Sequence, residues 1–169
     1  MEEQPVGKEE IEKIHAKAMR LCSRQEKCVY DMHTWYARKG VPAERIPDLV
    51  EDLVEQHFVD DTRYAEAYAK EKMRLSKWGA NKIAAMLRGK RIDEAVIGDA
   101  IARAEEECGG VDIDALLEKK AIGLLQGEVD VYQVVIKLVQ FSVGRGFGLQ
   151  ESKDAASRVV RRLLEERGE

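Results

Sequence analysis

The feature that most constrains this chain is a recurrence. A basic residue, a turn residue and an apolar residue stand together as Lys39-Gly40-Val41, Lys90-Arg91-Ile92 and Arg145-Gly146-Phe147. Laying Gly40 on Arg91 also lays Val41 on Ile92, Ile46 on Ile97, Pro47 on Gly98, Asp48 on Asp99 and Val50 on Ile101. The unit is therefore roughly fifty residues long, a length at which repeats stack one after another and cover each other's apolar faces.

Within the unit the periodicity is helical. Ile46, Leu49, Val50, Leu53 and Val54 fall on one face of a helix, with Pro47 tolerable only in its first turn. Ser23-Arg24-Gln25-Glu26 reads as a capping box opening a helix that Gly40 stops. In the second unit Asp60 and Asp61 put negative charge at a helix start, and Tyr64, Tyr68 and Met73 follow. Trp78-Gly79 breaks that run. Ile83, Met86 and Leu87 mark a short helix, and Val96, Ile97, Ala100, Ile101 and Ala104 another. The third unit starts after Gly109-Gly110 with Asp112 as N-cap and continues through Leu116, Leu117 and Leu124. Val131, Val134, Val135, Leu138 and Val139 are β-branched for the most part, yet their spacing is helical. Gly144 to Gly148 is a turn, and Ala156, Val159, Val160, Leu163 and Leu164 close the chain in helical register.

The expected fold is all-α: three tandem three-helix repeats over residues 9–56, 57–108 and 109–169, after a flexible tail at 1–8. Stacked, they would form an elongated, curved right-handed helical array.

Composition agrees. Apolar residues make up 44% and charged residues 36%, with three prolines, so a core can be buried and helix formers dominate. The net charge of −4 lacks the positive excess of a protein whose main task is coating DNA, which points first to a protein partner. Cys22, Cys28 and Cys108 are too few and too odd for a disulfide framework and read as reduced thiols of a cytoplasmic protein. Met1 to Lys8 is not a signal peptide, and no stretch approaches the roughly 20 apolar residues of a membrane span.

No catalytic constellation stands out, so no enzyme activity, cofactor or small-molecule substrate is expected. His15, Cys22, Cys28 and His33 match no common zinc spacing, and ordinary helix packing is the better reading. Gly144-x-Gly146-x-Gly148 lacks the preceding strand of a dinucleotide loop. Asp60-Asp61 reads as helix-start charge rather than a metal site.

Charge is uneven, however. Lys70, Lys72, Arg74, Lys77, Lys82, Arg88, Lys90 and Arg91 face a single acid, Glu71, with Trp78 among them. A basic stretch carrying an aromatic suits nucleic-acid phosphate or an acidic protein face. These nine residues, Trp78 included, are the candidate partner- or DNA-binding set. Arg158, Arg161, Arg162 and Arg167 alternate with acids and read as a solvated face.

Three segments carry a family resemblance: Leu21 to Glu26, His57 to Ala65, and Gly79 to Ile83 with Leu87. They resemble the RecX regulatory proteins from about Glu9 to Arg167, most specifically in Asp60, Asp61, Tyr64 and Ala65 followed by Gly79 and Ile83. Arg145-Gly146-Phe147 is similar to that family's third-repeat turn. Two positions depart: the family usually has glycine where His57 stands and often where Arg91 stands, which suggests altered turns there. The resemblance implies a cytoplasmic protein that binds the RecA recombinase filament on DNA and mainly inhibits its recombinase, ATPase and co-protease activities, in recombinational repair and the SOS response. It carries over no active-site residue. The alternative is a nucleic-acid-binding protein of tandem helix-turn-helix-like units, with residues 70–91 as its footprint.

Overall fold

The computed structural model of the chain describes Val6 to Gly168. Met1 to Pro5 of the expected tail lie outside the described residues, and Lys8 already opens the first helix with Gly7 as its N-cap. The helices are α1 (Lys8–Arg24), α2 (Val29–Arg38), α3 (Ile46–Glu55), α4 (Asp61–Arg74), α5 (Ala80–Gly89), α6 (Glu94–Cys108), α7 (Ile113–Leu124), α8 (Val131–Gly144) and α9 (Leu149–Arg167). A short 3-10 turn, Ala43–Arg45, leads into α3, and no strand occurs among the described residues. The fold is all-α, in three successive groups of three helices.

The repeat is visible in hydrogen bonds. At the end of α2, Gly40 N–H donates to Ala37 O and Val41 N–H to Tyr36 O. After α5, Arg91 N–H donates to Arg88 O and Ile92 N–H to Leu87 O. After α8, Gly146 N–H donates to Val143 O and Phe147 N–H to Ser142 O. Each turn satisfies the last carbonyls of its helix, with a residue of positive φ and a buried apolar residue behind it. The φ values are 81° at Gly40, 56° at Arg91 and 100° at Gly146. The altered turns expected at Arg91 and His57 are therefore not what forms. Arg91 keeps the glycine-like turn, and so does His57 (φ 62°), whose N–H and that of Phe58 close α3 on Val54 O and Leu53 O. Completing the backbone bonds outweighs a left-handed cost of roughly 1–2 kcal/mol per residue.

The capping box expected at Ser23 does not form. Ser23 lies inside α1, and its hydroxyl donates to Arg20 O at 2.8 Å. The reason is tertiary. The α2 start at Val29 takes its acceptor from Asp61, whose Oδ1 receives the Val29 N–H at 2.8 Å. Glu26, the intended partner of Ser23, instead accepts from Arg63 Nε at 2.8 Å. Other local signals hold: Asp112 accepts from Ala115 N–H, and Pro47 sits in the first turn of α3.

The chain divides into two compact units. One comprises the chain up to Ala67 with Leu87–Ala100. Its core joins Ile14, Ala18 and Cys22 of α1 to Met32 and Tyr36 of α2 and to Ile46, Val50 and Leu53 of α3. The spacing is that of the apolar stripe each helix presents. The other unit comprises Tyr68–Met86 and the chain from Ile101 onward. There α9 packs on both α7 and α8, through Leu117, Leu138, Ala155, Ala156, Val159 and Val160. Two hydroxyls are buried in it, and Ser152 Oγ pairs with Ser142 Oγ at 2.8 Å, so neither is left unsatisfied.

Candidate functional site

The segment Leu75 to Gly79 connects α4 to α5 and carries Trp78. Its N–H donates to Lys72 O at 3.1 Å, which folds the connector back on α4. The indole is half-buried. Lys72 Nζ lies 5.0 Å and Lys82 Nζ 4.2 Å from its ring centroid, and Tyr68 meets it edge-on at 6.4 Å. The ring quadrupole thus holds two ammonium groups in place at the surface.

The third-repeat turn docks directly on this connector. Gly79 N–H donates to Arg145 O at 2.7 Å, and Asn81 N–H donates to Gly146 O at 3.0 Å. Arg145 Nη1 returns a bond to Ser76 O at 2.7 Å. The approach is close enough to require glycine on both sides. A Cβ at Gly79 would stand 2.5 Å from Gly146 O, and one at Gly146 would stand 2.5 Å from Lys82 Cβ. The orphan N–H groups at the start of α5 are thereby satisfied by backbone carbonyls from elsewhere in the chain.

Beside this contact runs an open groove of about 590 Å³. Lys77, Trp78, Lys119, Lys120, Phe141 and Arg145 line it, with Leu75, Ser76 and Leu116. Lys120 Nζ lies 4.6 Å and Arg145 Cζ 5.1 Å from the Phe141 ring centroid. Among the described residues no carboxylate lines the groove.

The structure separates the sequence-derived basic set. Lys70, Lys72, Arg74, Lys77, Trp78 and Lys82 belong to one compact unit, and Arg88, Lys90 and Arg91 to the other. Three are neutralised locally. Lys70 pairs with Glu107, Arg88 with Glu94 at 2.5 Å and Lys90 with Asp31 at 2.5 Å. The Glu107 and Asp31 carboxylates hold the Lys70 and Lys90 ammonium groups above the usual lysine range, and Arg88 lowers Glu94. Arg91 Cζ and Lys90 Nζ sit over the Tyr30 ring at 5.3 and 5.9 Å. Arg74 is exposed at the end of α4. Lys119, Lys120, Phe141 and Arg145 come from the third repeat, where Asp112, Asp114 and Glu118 precede the two lysines and mask them in the sequence. Their only signal is the basic residue of the recurrent turn, Arg145.

The family-pattern residues are tied into the fold. Asp60 Oδ1 accepts from Arg63 N–H at 3.0 Å and caps α4. Asp61 caps α2. Ala65 and Ile83 are fully buried, Tyr64 is half-buried, and Gly79 makes the backbone contact above.

The imagined zinc set is not assembled. His15 uses both ring nitrogens, with Tyr36 Oη at 2.6 Å and Asp52 Oδ2 at 2.6 Å, and that bond from His15 lowers the Asp52 carboxyl. Cys22 Sγ lies 3.6 Å from Met32 Sδ, and burial pushes the Cys28 thiol up to about 12. Among the described residues no group of three or more His, Cys, Asp or Glu could hold a metal ion, and no helix is long and apolar enough to cross a membrane.

Residues 60–101 match the family model described as RecX, second three-helix domain. The chain is 28% identical over 154 residues to the regulatory protein RecX of Clostridium botulinum, spanning 91% of this chain and 72% of that protein. Its fold is similar to the crystal structure of RecX from Lactobacillus salivarius, with a TM-score of 0.69 at 20% identity over 88% of this chain and 96% of that one. A second crystal structure, of a regulatory protein RecX, superposes with a TM-score of 0.66 at 21% identity, over 96% of this chain and 81% of that one.

Proposed function

The chain belongs to the RecX family of regulatory proteins, and on that premise we propose that it binds the RecA recombinase filament on DNA and restrains it. In this reading it acts by binding rather than by chemistry. It lowers strand exchange, DNA-dependent ATP hydrolysis and co-protease activity, in the cytoplasm, during recombinational repair and the SOS response. The functional segments are the three repeats at 9–56, 57–108 and 109–169.

One observation carries the reading. Lys72, Lys77 and Lys82, on a segment inside the family match, have no carboxylate partner among the described residues, and an aromatic ring positions two of them. Uncompensated, pre-positioned cations are costly to keep together unless an anionic partner meets them. The filament offers such surfaces in both protein and DNA.

The test is a titration of the purified protein into a RecA–single-stranded DNA ATPase assay. Hydrolysis should fall as the protein approaches stoichiometry with the recombinase. No change at stoichiometric ratios would sink the proposal for that recombinase. Tight DNA binding with a steep salt slope in the absence of recombinase would favour direct action on DNA instead.

A further inference from the structure

We propose that the groove lined by Lys77, Lys119, Lys120 and Arg145 is a docking site for an acidic segment of a partner protein that also carries large apolar side chains. It rests on the reading above only in taking the partner to be a protein.

Three observations select this occupant. The first is charge complementarity: four cationic side chains converge on the groove and no carboxylate among the described residues lines it, in a chain whose net charge is −4. Local charge of one sign against the global balance recruits the opposite sign. The second is the apolar content. Leu75 is 66% exposed at the groove, beside Leu116. A sugar-phosphate backbone gains nothing from leucine, whereas a leucine or phenylalanine of a peptide buries area against it. The third is the state of the aromatic rings. Lys72 and Lys82 already sit over Trp78, and Lys120 and Arg145 over Phe141. Single-stranded nucleic acid binds by stacking bases on aromatic faces, and here those bases would have to displace the protein's own cations. The rings serve as props that orient ammonium and guanidinium groups toward carboxylates.

The groove is also pre-organised. Arg145 is fixed by its bond to Ser76 O, and the backbone pairing of Gly79 with Arg145 O ties the connector to the end of α8. A rigid frame lowers the ordering cost of binding.

The experiment uses fluorescence anisotropy with the full chain and three labelled probes: a twelve-residue peptide alternating glutamate and leucine, an all-glutamate peptide of equal charge spaced with glycine, and an oligo-dT strand. The mixed peptide should bind about tenfold tighter than the glutamate–glycine peptide. Leu75→Ser should remove most of that advantage. Lys119→Glu with Lys120→Glu should weaken the mixed peptide by about tenfold. Lys153→Glu, exposed on α9 and not among the residues that line the groove, should change neither. Circular dichroism confirms that each variant folds. The proposal is overturned if the mixed peptide does not bind, if both groove variants bind it like wild type, or if oligo-dT binds more tightly and is lost in the same variants. That last outcome makes the groove a nucleic-acid site. Because the probes are peptides and DNA alone, these results stand whatever the recombinase assay returns.

Discussion

Among the described residues, three that are not glycine hold positive φ: His57 at 62°, Lys77 at 56° and Arg91 at 56°. Each closes or follows a helix, and none has the freedom of glycine. Arg91 obtains something in return, since its guanidinium covers Tyr30. His57 gives its backbone, whose carbonyl accepts from Arg63 Nη2 at 3.2 Å, and a glycine would give the same. The left-handed cost of roughly 1–2 kcal/mol should exceed the roughly 0.5–1 kcal/mol that glycine adds to the freedom of the unfolded chain. His57→Gly is therefore expected to raise stability by about 0.5–1 kcal/mol. Urea denaturation checks it as a higher midpoint with an unchanged slope, and a lower midpoint would mean that the imidazole makes a contribution of its own.

At the scale of elements, the recurrent turn is the part that reads well from sequence, because its hydrogen bonds close within a few residues. Lys39 to Val41, Lys90 to Ile92 and Arg145 to Phe147 need only a local left-handed residue and an apolar follower. What the turns dock against is set by distant residues and is not legible. Arg145 reaches Ser76 across 69 positions and Asp61 caps Val29 across 32. That is why the Ser23 capping box, locally sound, is overridden. The inter-repeat contacts made by two of the turns also differ in kind. The third-repeat turn lies backbone to backbone on Gly79, while the second-repeat turn meets α2 through Lys90 with Asp31 and through Arg91 on Tyr30. The first should be intolerant of any added carbon. Gly79→Ala and Gly146→Ala are each expected to cost about 2–4 kcal/mol, from overpacking and, at Gly146, a φ of 100°. Gly98→Ala, within α6 and with nothing within 4 Å of the new Cβ, should instead stabilise by about 1 kcal/mol. Thermal and urea unfolding of the three variants separate close approach from mere helix propensity, and equal losses at all three would remove the packing argument.

At the scale of the whole molecule, charge location matters more than charge count. The candidate site was half-legible in sequence: the excess of lysine and arginine between residues 70 and 91 is plain, but which of them are already neutralised is decided by acids from elsewhere, Glu107 and Asp31 among them. The groove's Lys119 and Lys120 come from a helix whose surrounding sequence is acidic enough to hide them. Two double variants make the distinction measurable. Lys70→Glu with Arg88→Glu and Lys77→Glu with Lys120→Glu change the net charge equally, so any effect of the long-range field is the same in both. The first pair removes cations that already face carboxylates at exposed sites, where solvent screens the ion pair and leaves little to lose. The second removes cations with no partner of their own. In the recombinase ATPase titration the second pair should shift the half-inhibitory concentration by about tenfold more than the first. Raising the salt concentration should shrink that difference, because screening acts on the exposed groove charges. Equal shifts would mean that the recombinase senses the overall field of the molecule, and the groove would lose its claim to the contact.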